Sequence, residues 1–409
     1  KLQNYLLTFL ESSEKDDFEI LFGYIKMQNY HRNKNEFEHF LYLLSNISNN
    51  HHRYSNFIRN INGILFCLKN LINKLMSNLE IYQTFKYNKS ILLFLVEKEI
   101  LIIDEIIIDA LFHNPLNKTN KYYLFFYPEI KDYICKNKKK ELEKNLLDEN
   151  PNIFKYFEEN RKIGENDSYI CSLIRNDNVD EFIQYINRSN INLSSTIPSS
   201  IFETNLFLID KKPTLIEYAA FYGSIQIFQY LRFNNVELDS SLWLYVIHSK
   251  NAEMIHLLEE INVKPPCSSY EQCIIESIKC HHNDIANYFK NNSLSYPIDG
   301  NLRNALIENV FECAFQYSNY SYFPSKINAD FLFYYFYSYK YFTVANIIME
   351  DINKYMPFFV KPILTLEEAI KQKKTIFLHY LLSKKTEIDS KAFNNTSIAK
   401  ITIPQSITK

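Results

Sequence analysis

In 409 residues, 46% apolar and 16% aromatic side chains are ample for a buried core, which argues against a disordered chain. The formal net charge of −2 argues against a polyanion-binding face, because the one concentrated basic run, KNKKK at 136–140, is followed at once by Glu141, Glu143, Asp148 and Glu149. Seven scattered cysteines, an odd number lying mostly in apolar periodic segments, read as reduced thiols of an intracellular, cytoplasmic protein.

Residues 1–85 open the chain without an apolar signal core and carry helical periodicity, as in EFEHFLYLL at 36–44 and again over 57–79. We read this stretch as a helical N-terminal cap. The greasiest segment, ILLFLVEKEILIIDEIIIDALF at 91–112, is broken by six charges, so it predicts two buried helices of a water-soluble protein and no membrane span. It belongs to a stretch, 86–166, that reads as degenerate helical repeats. NLSSTIPSSIFETN at 192–205 is loop-like, and two readings stand for it: a binding loop or slack.

The most orderly stretch is PTLIEYAAFYGSIQIFQYLRFNNVELD, 213–239. Thr214 caps a first helix whose apolar face holds Leu215, Ile216, Tyr218 and Ala219. Gly223 supplies a turn of positive φ, Ser224 caps a second helix carrying Ile227, Phe228, Tyr230 and Leu231, and Asn234 and Asn235 end it. The second-helix pattern, two apolar residues, a gap and one or two more, starts at residues 91, 122, 153, 182, 227, 254, 285, 314, 344 and 377. Most steps are about 30 residues, the period of a stacked helical array.

Over 213–239 the chain resembles the ankyrin repeat, with Thr214, Ala219, Ala220, Gly223, Ile227 and Leu231 on matching positions. Leu215 and Glu217 depart from the proline and histidine of that pattern, and Asn234 from its second glycine. The resemblance implies an all-α, ankyrin-like helical-hairpin solenoid over 167–392, followed by a tail at 393–409. It also implies a protein-interaction scaffold that binds a protein partner through first helices and inter-repeat turns. Carried over by register, the partner-binding positions are Tyr218, Tyr245, Glu276, Tyr335 and Glu368 on first helices, with Glu237 and Asp239 on a turn.

No enzyme is expected. The five glycines lie too far apart for a phosphate-cradling loop, and no G-x-S-x-G elbow occurs. No cofactor, nucleic acid, membrane or small-molecule substrate is expected either. The alternatives are an unrecognised enzyme and a zinc-stabilised protein, the metal on Cys267, Cys273, Cys280, His281, His282 and Asp284, whose residue types suit it although their spacing forms no knuckle. Buried structural thiols beside a turn histidine account for the same residues without metal. Trp243 and the aromatic run DFLFYYFYSYKYF at 330–342 read as core.

Overall fold

The computed structural model describes residues 1–323, apart from 13, 29, 31–33, 54–55 and 294–299. Regular structure among them is all helical, without a strand; one isolated antiparallel bridge joins Thr196 to Thr214. No described helix is long and apolar enough to cross a membrane.

The N-terminal half contains α1 (Leu2–Ser12), α2 (Lys15–Met27), α3 (Lys34–Asn50), α4 (Phe57–Cys67), α5 (Lys69–Leu75), α6 (Asn78–Phe85), α7 (Lys89–Glu97) and α8 (Glu105–Phe112). The short α9 (Asn117–Asn120) and α10 (Tyr127–Ile130), the longer, charged α11 (Lys136–Glu149) and the short α12 (Phe157–Ile163) follow. The segment 91–112 is indeed two helices, α7 and α8, started by Asn88 and Asp104 side chains that accept the Ile91 and Ile107 N–H groups. The pattern matches at 122 and 153 fall in 3-10 turns, Tyr122–Phe126 and Ile153–Lys155, where rings such as Phe125 and Phe126 fill the core. Apolar spacing alone does not distinguish a tight 3-10 turn from a helix.

From residue 169 the chain changes character. Four hairpins follow: α13 (Tyr169–Arg175) with α14 (Val179–Ser189), α16 (Leu215–Tyr222) with α17 (Ile225–Phe233), α18 (Leu242–Ser249) with α19 (Ala252–Glu260), and α20 (Glu271–Lys279) with α21 (Asn283–Ser293). Between the first two lies the short α15 (Leu206–Asp210), and α22 (Gly300–Tyr317) comes last. First helices pack on first helices, α13 on α16, α16 on α18 and α18 on α20, while the second helix α14 meets α17.

One backbone device recurs in every hairpin. The residue between its helices is left-handed: Asp177 (φ 48°), Gly223 (φ 70°), Lys250 (φ 51°) and His281 (φ 59°). The next N–H reaches back to a helix carbonyl, Asn178 to Leu173 (3.1 Å), Ser224 to Ala219 (2.9 Å) and His282 to Ser277 (2.9 Å). Such caps satisfy carbonyls that the helix end leaves open. Asn190, Asn235 and Asn262 repeat the left-handed turn after the second helices, as suits asparagine.

Thr214 caps α16 as its sequence predicts and exchanges bonds with Glu217 in a capping box. Ser224 does not cap α17. Its hydroxyl donates to the Ile174 carbonyl, and the Asp177 carboxylate of the preceding hairpin accepts the Gln226 and Ile227 N–H groups, both at 3.0 Å. The cap of one hairpin thus comes from its neighbour, which ties stacking to helix initiation. Trp243 is fully buried between Tyr270 and Phe289, with its indole N–H on the Val263 carbonyl at 2.9 Å.

Each half has its own apolar core, and the segment 192–210 contributes to both: Ile201 and Phe202 to the N-terminal one, Ile197, Phe207 and Leu208 to that of the hairpins. Residues 192–196, 198 and 199 are exposed or half-buried, whereas 200–205 and 207–209 are buried as a wedge. The ends of the described chain also meet, because Gln3 donates to Asn319 Oδ1 (3.1 Å) and accepts the Tyr320 N–H (2.7 Å).

Candidate functional site

The structure corrects the expected exposed face of the first helices. Tyr218 is 1% and Tyr245 4% exposed. Tyr218 takes a hydrogen bond from Arg175 at 3.0 Å and packs on Tyr222, while Tyr245 lies edge-on to Phe207 of α15 at 4.9 Å. Phe207, in the segment 192–210, therefore covers Tyr245, while Arg175 and Tyr222 cover Tyr218. Glu276 is also not free, since its carboxylate is shared between His248 and Lys279. Glu237 and Asp239 are exposed on the connector between α17 and α18, next to Phe233, which is 70% exposed. Tyr335, Glu368 and the run at 330–342 lie outside the described residues.

The wedge brings polar groups to the junction of the two halves. Lys89, at the start of α7, is fully buried and donates to the carbonyls of Ile201 (2.7 Å) and Glu203 (3.0 Å). Its ammonium sits 5.4 Å from the centres of both the Tyr122 and Phe125 rings. Burial pushes its pKa down to about 7, against the pull of the Glu203 charge. Arg53 grips the adjoining residue, Thr204, at 2.8 Å to the hydroxyl and 3.0 Å to the carbonyl. These cations are the mortar between segments far apart in sequence.

A second polar cluster lies where the end of α3 meets the hairpin turns. His51 Nδ1 bonds the Cys280 carbonyl (2.8 Å), His52 Nδ1 the His248 carbonyl (3.0 Å), and His282 Nδ1 the Ile247 carbonyl (2.9 Å). His282 Nε2 accepts the His52 N–H at 3.3 Å. Burial holds the pKa of His52 down at about 4 and that of His281 at about 3, so both rings are neutral near pH 7. Glu11 bridges His51 (3.3 Å) and Lys250 (2.5 Å), and those contacts, His51 foremost, hold its carboxyl down at about 2.

Within this cluster the donor atoms of His248, Glu276 and Cys280 converge, all within 4.8 Å of one another. His248 Nε2 is 2.7 Å from Glu276 Oε1, and Cys280 Sγ is 3.6 Å from either ring nitrogen. A carboxylate only accepts, so Nε2 carries the imidazole proton and the neutral ring donates it. Burial lowers the His248 pKa and outweighs Glu276; burial likewise opposes the ionised Glu276, but His248 and Lys279 together carry its pKa down. Burial raises the Cys280 thiol well above its ordinary range.

The expected set at 267–284 does not assemble. Cys267 and Asp284 are exposed, His282 is engaged with Ile247 and His52, and among the described residues no three of the six converge. Cys280 alone of them joins the observed cluster. Sequence reading missed its partners because His248 sits one hairpin earlier and Glu276 was assigned to the surface. The legible signal was the i, i+4 pair Glu276 and Cys280, which places both on one helix face.

A groove of about 770 Å³ opens elsewhere, lined among others by Arg53, Arg59, Phe66, Phe94 and Lys162. No protein-family model matches the chain, and no curated protein or solved structure matches it either.

Proposed function

We propose that the chain is a non-catalytic scaffold of ankyrin-like hairpins that binds a protein partner through its inter-hairpin connectors. The observation that supports this reading most directly is the recurring hairpin, with a left-handed turn in each of four hairpins and first helix laid on first helix at each of the three steps between them. Such an array fixes its connectors rigidly and lets their side chains vary, which suits recognition. The wedge and the neighbouring helices occupy the first-helix face around Tyr218 and Tyr245, so the surface left for a partner is the connector edge. Phe233, at the end of α17, supplies an exposed aromatic anchor there, and Glu237 and Asp239 are exposed further along the connector.

The test is affinity purification of the full chain from the cells that make it, beside a Phe233→Ala/Glu237→Lys/Asp239→Lys variant of unchanged melting temperature. The expected result is a stoichiometric protein partner whose affinity falls at least tenfold in the variant. A partner held equally by both proteins would reject this surface. Recovery of no partner by the native chain would reject the scaffold itself.

A further inference from the structure

We propose that His248, Glu276 and Cys280 form a binding site for a zinc-type divalent cation that bolts α18 to α20. The site is independent of the partner surface, which lies on the connector edge. Three features carry it: convergence, ligand chemistry and a route of entry.

The three donors come from the first helices of consecutive hairpins. Glu276 and Cys280 share one face of α20 and its cap, while His248 comes from the end of α18. Zinc binds thiolate at about 2.3 Å, and imidazole and carboxylate at about 2.0 Å, so tetrahedral ligands sit roughly 3.3–3.5 Å apart. Cys280 Sγ lies 3.6 Å from both ring nitrogens of His248, over the imidazole, so the thiol has the required separation from Nε2 and reaches a cation on the Nε2 axis by a side-chain rotation. The His248 to Glu276 contact, 2.7 Å, is a hydrogen bond whose proton a cation would replace, with the carboxylate drawing back by about half an ångström. A set with one sulfur, one nitrogen and one oxygen favours zinc over calcium or magnesium, which require oxygen ligands.

Surrounding groups hold the ligands in place. The Phe207 ring packs on the His248 imidazole with centres 4.1 Å apart, and the His51 bond to the Cys280 carbonyl fixes the cap that carries the thiol. Lys279 donates to Glu276 at 2.9 Å and neutralises it in the metal-free state. Its ammonium also lies within 5.8 Å of the Phe207 and Tyr317 ring centres, where it can rest when the cation takes its place. The side chains of Glu276 and Lys279 are 14% and 20% exposed, which gives a path from solvent into an otherwise buried site.

The proton balance is definite. The cation displaces the Cys280 thiol proton to solvent, and the imidazole proton moves from Nε2 to Nδ1, so one proton leaves per cation bound. Thiolate and carboxylate then balance the two positive charges. The three protein ligands leave a fourth position for water.

Cobalt(II) is the probe, because a thiolate ligand gives it a charge-transfer band in the near ultraviolet. The full chain is titrated with the exposed Cys67, Cys135 and Cys267 replaced by serine, so that surface thiols contribute nothing. Expected are one equivalent of cobalt with that band, release of one proton, displacement by zinc and a rise in melting temperature. Cys280→Ser abolishes the band, while His248→Gln and Glu276→Gln each weaken binding at least tenfold. Absence of the band in the parent protein overturns the proposal, as does an unchanged band in Cys280→Ser. If Cys280→Ser does not fold, undiminished cobalt affinity in both His248→Gln and Glu276→Gln overturns it equally.

Discussion

The two halves of the described chain solve the same problem by different means. In the N-terminal half, helices of unequal length meet through a mixture of caps, 3-10 turns and buried aromatics, and the left-handed turn at Glu99, whose following Ile100 N–H bonds the Leu95 carbonyl at 2.8 Å, is not repeated at a regular interval. In the hairpin half, one left-handed turn returns four times and each first helix packs on the next. The irregular half relies on individual side chains. The regular half relies on backbone conformation, and its sequence is correspondingly freer wherever the turn is kept.

Substitutions can break this comparison, and the largest effect is expected at Trp243. Trp243→Ala should cost about 3–5 kcal/mol, since it empties the contact between Tyr270 and Phe289 and orphans the Val263 carbonyl. Urea unfolding followed by hydrogen exchange should locate the loss first in α18 to α21. Equal loss of protection in α3 to α8 would mean that the halves form one cooperative unit.

Lys89 tests the wedge, and its effect depends on pH. Its folded pKa of about 7 lies below the ordinary 10.5, so from pH 7 to 10 the unfolded chain binds more protons. Stability therefore rises with pH in that window, by up to about 1.4 kcal/mol per pH unit from this group. Lys89→Met lacks the term. Melting curves of the two proteins should diverge in favour of the native chain as pH rises from 7 to 10, and parallel curves would show that the amine keeps its charge.

Glycines sharpen the contrast at smaller cost. Gly223→Ala should lose about 1–2 kcal/mol, because its φ of 70° disfavours a side chain and the new Cβ would lie 3.1 Å from Asn251 Nδ2. Gly63 lies inside α4 with open space where a Cβ would go, so Gly63→Ala should gain up to about 1 kcal/mol. Denaturant midpoints would read both. The two outcomes together distinguish a glycine that makes a turn from one that merely occupies a helix.

The same contrast explains what was legible in sequence. Thr214, Gly223 and the second helices at 182, 227, 254 and 285 could be read because caps, left-handed turns and apolar spacing are local properties. Trp243 was legible as core for the same reason. Tyr218 and Tyr245 were misplaced because what covers them, Arg175 and Tyr222 in one case and Phe207 in the other, is a tertiary matter on which helix periodicity is silent. Lys89 gave no signal at all, since a lone lysine before an apolar run ordinarily faces water. The His248, Glu276 and Cys280 cluster was half visible, through the helix spacing of its last two members.

The meeting of Gln3 with Asn319 and Tyr320 sets a timetable for biosynthesis. Synthesis at roughly 5–20 residues per second leaves the first helix without these partners for tens of seconds after it emerges. During that wait the apolar face of α1, with Leu6, Phe9 and Leu10, lacks part of its final setting. Contacts so distant in sequence also close slowly once they can form. Until residue 320 has been made, α1 is therefore open to chaperones and proteases, although it is securely fastened in the finished fold.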